Sequence, residues 1–233
     1  MSEAALVGAL LAALAADPTV LLEKADAPHD AFGEGLIRLD VSVTESGKPP
    51  QRAVLDLYVK GADRSLCVFL DGKQEGRKVL TVGEKVWLIV PTASKPVPVT
   101  KSQRLMGAAS FGDVAGLRFA DAYDARLRPE IEEGSYVLDL IAKKKSAPYP
   151  AAVLWIGKDD GLARRLRLAL ASGKPAKDVR FTKYNEKGQV GTMEIEDLLA
   201  GKKRQVTTLR FLAYEKREID PSLLTPEGAR ALP

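Results

Sequence analysis

The sequence predicts a mainly β protein of the α+β class, a single curled antiparallel sheet of about 10–12 strands forming an incomplete barrel plugged by short helices. Three observations point there. Apolar residues recur with period two in one short run after another. The connectors between runs are brief and rich in Gly, Pro, Asn, Asp and Ser, which joins neighbouring strands antiparallel. One central stretch, "KSQRLMGAASFGDVAGL" (101–117), breaks the pattern with glycines set among apolar residues.

Taken in order, "AALVGALLAALAAD" near the start is an unbroken small-apolar run. It is shorter than the ~20 residues of a membrane span and fits the apolar core and small-residue cleavage site of a secretory signal. "MSE" supplies none of the usual positive charge, so residues 1–16 read as a signal-peptide remnant or as a helix packed on the domain. Residues 17–233 read as a single domain. Asp17 is placed to cap a short helix with Pro18 at its first position and Leu21, Leu22 and Ala25 on one face.

The period then changes to two. "LIRLDVSV" and "AVLDLYVK" form a hairpin across "ESGKPP"; "RSLCVFL", "KVLTV" and "KVWLIV" follow. After the central stretch come "YDARLRPEIE", "SYVLDLIA", "AAVLWIGK", "LARRLRLAL", "DVRFTKYN", "VGTMEIEDL" and "RQVTTLRFLAY". Twist makes a sheet of this width curl, and curling reduces its exposed edges. Such a sheet encloses more space than its own side chains fill, and the segments free to fill it are the N-terminal helix, residues 101–120 and the C-terminal "PSLLTPEGARAL".

The chemistry-bearing residues are sparse. Cys67 is the only cysteine and His29 the only histidine, which leaves no intrachain disulfide, no triad and no usual metal site. Asp159 and Asp160 fall on a turn; Glu130, Glu132 and Glu133, and Glu194, Glu196 and Asp197, read as solvated strand faces. A net charge of +4 is far from the basic stripe of a nucleic-acid binder. Lys143 to Lys145 and Lys202 to Arg204 read as solvated turns, or as a docking face for an acidic partner or an anionic lipid surface. The expectation is a protein without enzymatic turnover, cofactor or metal.

"VWLIVP" and "VLWI" are apolar on both strand faces, so each is covered on both sides, by core or by a cavity. "RLMGAASFGDVAGL" would be the cover over that cavity, on short helical turns weakened by Gly107, Gly112 and Gly116. The lining and plug expected are Leu39, Val41, Leu55, Leu57, Leu66, Val68, Trp87, Ile89, Leu105, Met106, Phe111, Leu117 and Trp155. On this reading Leu105, Met106, Phe111 and Leu117 point toward Trp87, Ile89 and Trp155.

From about residue 20 onward, the chain resembles the outer-membrane lipoprotein-sorting, or LolA-like, family. The resemblance rests on "KGADRSLCVFL", on Trp87-x-x-x-Pro91, on Arg104-Leu105-Met106-Gly107 followed by Gly112-Asp113, on Tyr149-Pro150 with the Leu154-Trp155 strand, on Ser172-Gly173-Lys174, and on the closing "IDPSLLTP". It implies an incomplete barrel plugged by helices, working in the periplasm as a carrier of acyl chains from lipoproteins or other envelope lipids. An inner-membrane exporter and an outer-membrane acceptor would be its further partners. The competing expectation is a half-barrel sensor or adaptor that binds a protein partner and carries no lipid.

Overall fold

The computed structural model describes residues 17–30, 33–61, 63–100, 102–110, 113, 118–129, 134–145, 147–201 and 203–232. The leader 1–16, the acidic residues Glu130, Glu132 and Glu133, Lys202, and the plug residues Phe111 and Leu117 lie outside the described residues, as does the His29 side chain.

Asp17 caps the first helix, α1 (Pro18–Asp30), its carboxylate accepting from the Thr19 amide at 2.8 Å. Two antiparallel meanders follow. The first runs through β1 (Glu34–Glu45), β2 (Gln51–Lys60), β3 (Arg64–Phe69), β4 (Lys78–Val82), β5 (Lys85–Ile89) and β6 (Val97–Val99). A small hairpin, β7 (Arg104–Met106) with β8 (Ala109–Ser110), and a single helical turn, α2 (Phe119–Ala122), then lead into the second. It comprises β9 (Tyr123–Leu127), β10 (Ser135–Ala142), β11 (Ala151–Gly157), β12 (Ala163–Ala169), β13 (Pro175–Tyr184), β14 (Val190–Asp197) and β15 (Gln205–Lys216). A 3₁₀ turn (Pro221–Leu224) and α3 (Pro226–Ala231) close the chain.

All strands but β7 and β8 join one antiparallel sheet of 13, in the order β6-β5-β4-β3-β2-β1-β15-β14-β13-β12-β11-β10-β9. The meanders meet where β1 pairs with β15, Leu39 opposite Phe211 and Val41 opposite Leu209. The sheet does not close: β6 and β9 are its edges, and the segment joining them carries the β7–β8 hairpin and α2. One chain segment therefore passes from edge to edge.

Strand alternation gives the sheet two unlike faces. The inner face takes Leu39 and Val41 from β1, Leu55 and Leu57 from β2, and matching residues from the second meander. Leu21, Leu22 and Ala25 of α1, Leu105, Met106, Ala108 and Ala109 of the hairpin, and Phe119 of α2 cover it. The outer face is mostly charged, except where the C-terminal turn and α3 lay Ile219, Leu224 and Ala229 over Leu66, Val68, Leu80 and Ile89. No helix among the described residues is long and apolar enough to cross a membrane.

The helical turns expected at 104–110 are instead a β-hairpin. Gly107, at φ +56°, opens its turn in a conformation that glycine adopts without strain, and Arg104 pairs with Ser110 across it. The glycine that weakens a helix here makes a hairpin possible.

Candidate functional site

The expected lining splits between the two faces. Leu39, Val41, Leu55 and Leu57 lie on the inner face, in one cluster with Leu105 and Met106. Leu66, Val68 and Ile89 are buried on the outer face, with Trp87 packed beside them. The register decides this: Leu57 pairs with Cys67 and Leu55 with Phe69, so Cys67 and Phe69 point inward and their neighbours Leu66 and Val68 outward. Trp155 also faces outward, its indole 5.0 Å beneath the Arg165 guanidinium and 5.8 Å from that of Arg167. Leu105 and Met106 thus sit across the sheet from Trp87, Ile89 and Trp155 rather than against them. In a strand that is apolar on both sides, composition does not say which side is inside.

The hairpin is fastened at several points. The Ala108 amide donates to the hydroxyl of fully buried Thr207 at 2.8 Å. Arg104 reaches the Asp197 carboxylate at 2.5 Å, and the Lys177 ammonium lies 2.6 Å from Asp113, whose carboxylate also accepts from the Ser110 amide. A Cβ added at Gly107 would stand 2.6 Å from Val43 Cγ2 and would overlap the Thr207 hydroxyl. The plug is seated close on β1 and β15, and its glycine is a point of contact rather than of slack.

The other end of the inner face is more open. There α1 touches the β11–β12 turn through the Lys24 stem, and beside it, reaching to the β13–β14 turn, lies a groove of ≈ 810 Å³. Its lining includes Val20, Leu21, Ala27 and Pro28 from the helix, Tyr136 and Leu162 from the sheet side, and Lys24, Lys158 and Lys187. That volume falls within the ~300–1,000 Å³ of small-molecule sites. Leu21 belongs to the inner core, so the groove meets that core.

Half-buried tyrosines brace the sheet at this end. Tyr184 donates to the Ala163 carbonyl at 2.6 Å and Tyr214 to the Val190 carbonyl at 2.8 Å; burial pushes both phenols up, so they stay neutral donors. On the helix's far side the buried Asp26 carboxylate accepts from the Phe119 and Ala120 amides at 2.7 and 2.8 Å, tying α1 to α2. Burial also pushes the Cys67 thiol up, to about 12, which makes it packing material rather than a nucleophile. Asp160 is held by Arg164 and Asp159 shares its turn; they do not assemble an acid–base pair. Among the described residues no cluster of three or more His, Cys, Asp and Glu could hold a metal ion.

A family model described as an uncharacterized protein matches residues 61–228. The chain belongs to that family. Members of the LolA superfamily share its fold. A LolA superfamily protein from Nitrosomonas europaea superposes with a TM-score of 0.80 at 22% identity, covering 91% of this chain and 99% of that one. A domain described as that of an outer membrane lipoprotein-sorting protein, from Vibrio parahaemolyticus, gives 0.74 at 14% identity over 91% and 98%. A DUF1329 family protein from Desulfovibrio piger gives 0.71 at 20% identity over 91% and 99%. No curated protein matches the sequence.

Proposed function

We propose that this LolA-like protein is a periplasmic carrier that holds the acyl chains of lipoproteins or other envelope lipids on its inner face and moves them toward the outer membrane. The observation that carries the reading is the groove beside α1, which opens to solvent and meets the largely apolar inner core at Leu21, at the end away from the hairpin. The fold shared with the Vibrio lipoprotein-sorting domain supports it. Leu39, Val41, Leu55, Leu57, Leu105 and Met106 are the inner-face residues that would meet the chains; Leu66, Val68, Trp87, Ile89 and Trp155 face away and serve other packing.

The energetics suit a shuttle. Each buried methylene contributes about 0.8 kcal/mol, so a chain of about sixteen carbons gains roughly 12 kcal/mol gross. Leaving a membrane costs a similar amount, so near-parity between carrier and bilayer is enough for transfer. Part of the gain goes into parting α1 from the sheet to admit the chain.

The test is to purify the protein without detergent, extract it and identify bound lipid by mass spectrometry, with uptake of a fluorescent acyl probe measured in parallel. Co-purified acyl lipid and saturable probe uptake are expected. An empty protein that takes up no probe would leave the sensor or adaptor reading in its place.

A further inference from the structure

The cations of the groove differ from the arginines of the outer face. On the outer face arginines sit on carboxylates: Arg38 on Asp56, Arg52 and Arg210 on Asp40, Arg165 and Arg167 on Asp178. In the groove, Lys24, Lys158 and Lys187 form no ion pair with any described residue. Three carboxylates, Asp17, Asp159 and Asp160, share the lining and offset part of that charge. Asp160 is paired with Arg164 and accepts from the Leu162 amide, whereas Asp17, which caps α1 through the Thr19 amide, and Asp159 form no ion pair with a described residue, so three lysines face two uncompensated carboxylates.

The three lysines come from three elements, and local structure sets each in place. The stem of Lys24 lies along the β11–β12 turn, where a Cβ on Gly161 would be 3.3 Å from its Cβ and 3.4 Å from its Cδ. The Lys158 ammonium stands 5.7 Å from the centroid of the Tyr136 ring. Lys187 rides the β13–β14 turn, which Asn185 fixes by accepting from the Lys187 and Gln189 amides at 3.0 and 2.9 Å. Beneath them the groove is floored by Leu21, Tyr136 and Leu162. With Arg164 on Asp160, the lysines leave a small positive excess over this apolar floor, which suits a molecule with an anionic end and an apolar tail.

We propose that the groove takes an amphiphile with an anionic head group, phosphate or carboxylate, whose head sits among Lys24, Lys158 and Lys187 while its tail runs onto the inner face. This rests on the carrier reading and names the class of cargo within it. Single exposed ion pairs count for little, so the effect is read on all three lysines together.

The experiment titrates the full chain with a fluorescent long-chain fatty acid and with its methyl ester, which shares the tail and lacks the charge. Wild type is expected to prefer the acid by about tenfold. A K24Q/K158Q/K187Q variant loses that preference and keeps its ester affinity and melting temperature. Added salt weakens only the acid, because exposed charges are screened. Inorganic phosphate alone, at millimolar concentration, does not displace the acid; displacement would assign the rim to free phosphate and overturn the lipid head group. Equal binding of acid and ester by wild type, or an acid preference that survives in the triple variant, overturns the head-group assignment and leaves the carrier standing. Failure of both probes to bind overturns both.

Discussion

Asp178 shows what a single carboxylate does on the charged outer face. It lies buried on β13, taking hydrogen bonds from Arg165, with Arg167 at 3.4 Å and Arg180 at 3.6 Å. Burial pushes its carboxyl up, but the Arg165 hydrogen bonds and the charges of Arg165, Arg167 and Arg180 outweigh that and hold it below the usual carboxylate range. A pKa depressed on folding stabilises the protein above the unfolded value of about 3.9, and that contribution is lost as the pH falls from there through the folded value. Asp178→Asn removes hydrogen bonds to a charged group, so it is expected to cost about 1.5–3 kcal/mol at neutral pH. It should also flatten the decline in stability below about pH 4. Urea unfolding of both proteins between neutral and strongly acidic pH reads both effects. An acid slope that is the same in the two proteins would show that Asp178 is not among the groups responsible.

At the scale of the element, the hairpin that crosses the open side behaves as a post rather than a lid. Its turn glycine has no room for a side chain against Val43 and Thr207, and its two flanks are held by Asp197 and by Lys177 through Asp113. Gly107→Ala is therefore expected to lift the hairpin, costing about 1–3 kcal/mol of stability. Hydrogen exchange should show the Ala108 amide losing protection while β1 and β15 keep theirs. Unchanged protection at Ala108 would mean that the hairpin is not seated on Thr207 in solution. The sequence disclosed much of this architecture but not the hairpin. Strands such as β1, alternating Ile37, Leu39, Val41 and Val43 with Arg38, Asp40 and Ser42, could be placed and faced from pattern alone, and the Asp17 cap announced α1. "RLMGAAS" has neither a clear period two nor a clear helical period, because its form is set by what it packs on. The same holds for β3: "LCVF" is apolar throughout since the C-terminal segment, more than a hundred residues away in sequence, covers its outer face with Ile219 and Leu224. The groove lysines are not legible in the sequence because Lys24, Lys158 and Lys187 are scattered along it and meet only through the fold.

The whole molecule poses a question that neither residue nor element answers alone: how cargo passes covers that are already in place. The hairpin is pinned at one end, whereas α1 meets the sheet across an open groove, so the carrier reading needs α1 to part from the β11–β12 turn. The geometry offers a way to forbid that movement. A Cβ at Gly161 lies 3.3 Å from that of Lys24, close to the ~3.5–4.5 Å between bridged cysteines. Lys24→Cys with Gly161→Cys should thus form a disulfide between helix and turn after a small adjustment. A side chain at the Gly161 φ of +71° adds strain of about 1–3 kcal/mol, a cost present in both redox states of the variant. Cys67 does not interfere, since it is buried and its thiol is pushed up to about 12. The neutral methyl ester serves as probe, so that loss of the Lys24 charge does not enter the comparison. The reduced protein is expected to bind the ester. The oxidised protein should lose that binding by tenfold or more, the equivalent of ~1.4 kcal/mol, and a reductant should restore it. Equal affinity in the two states would show that acyl chains reach the inner face without moving α1, and the way in would then lie along a sheet edge.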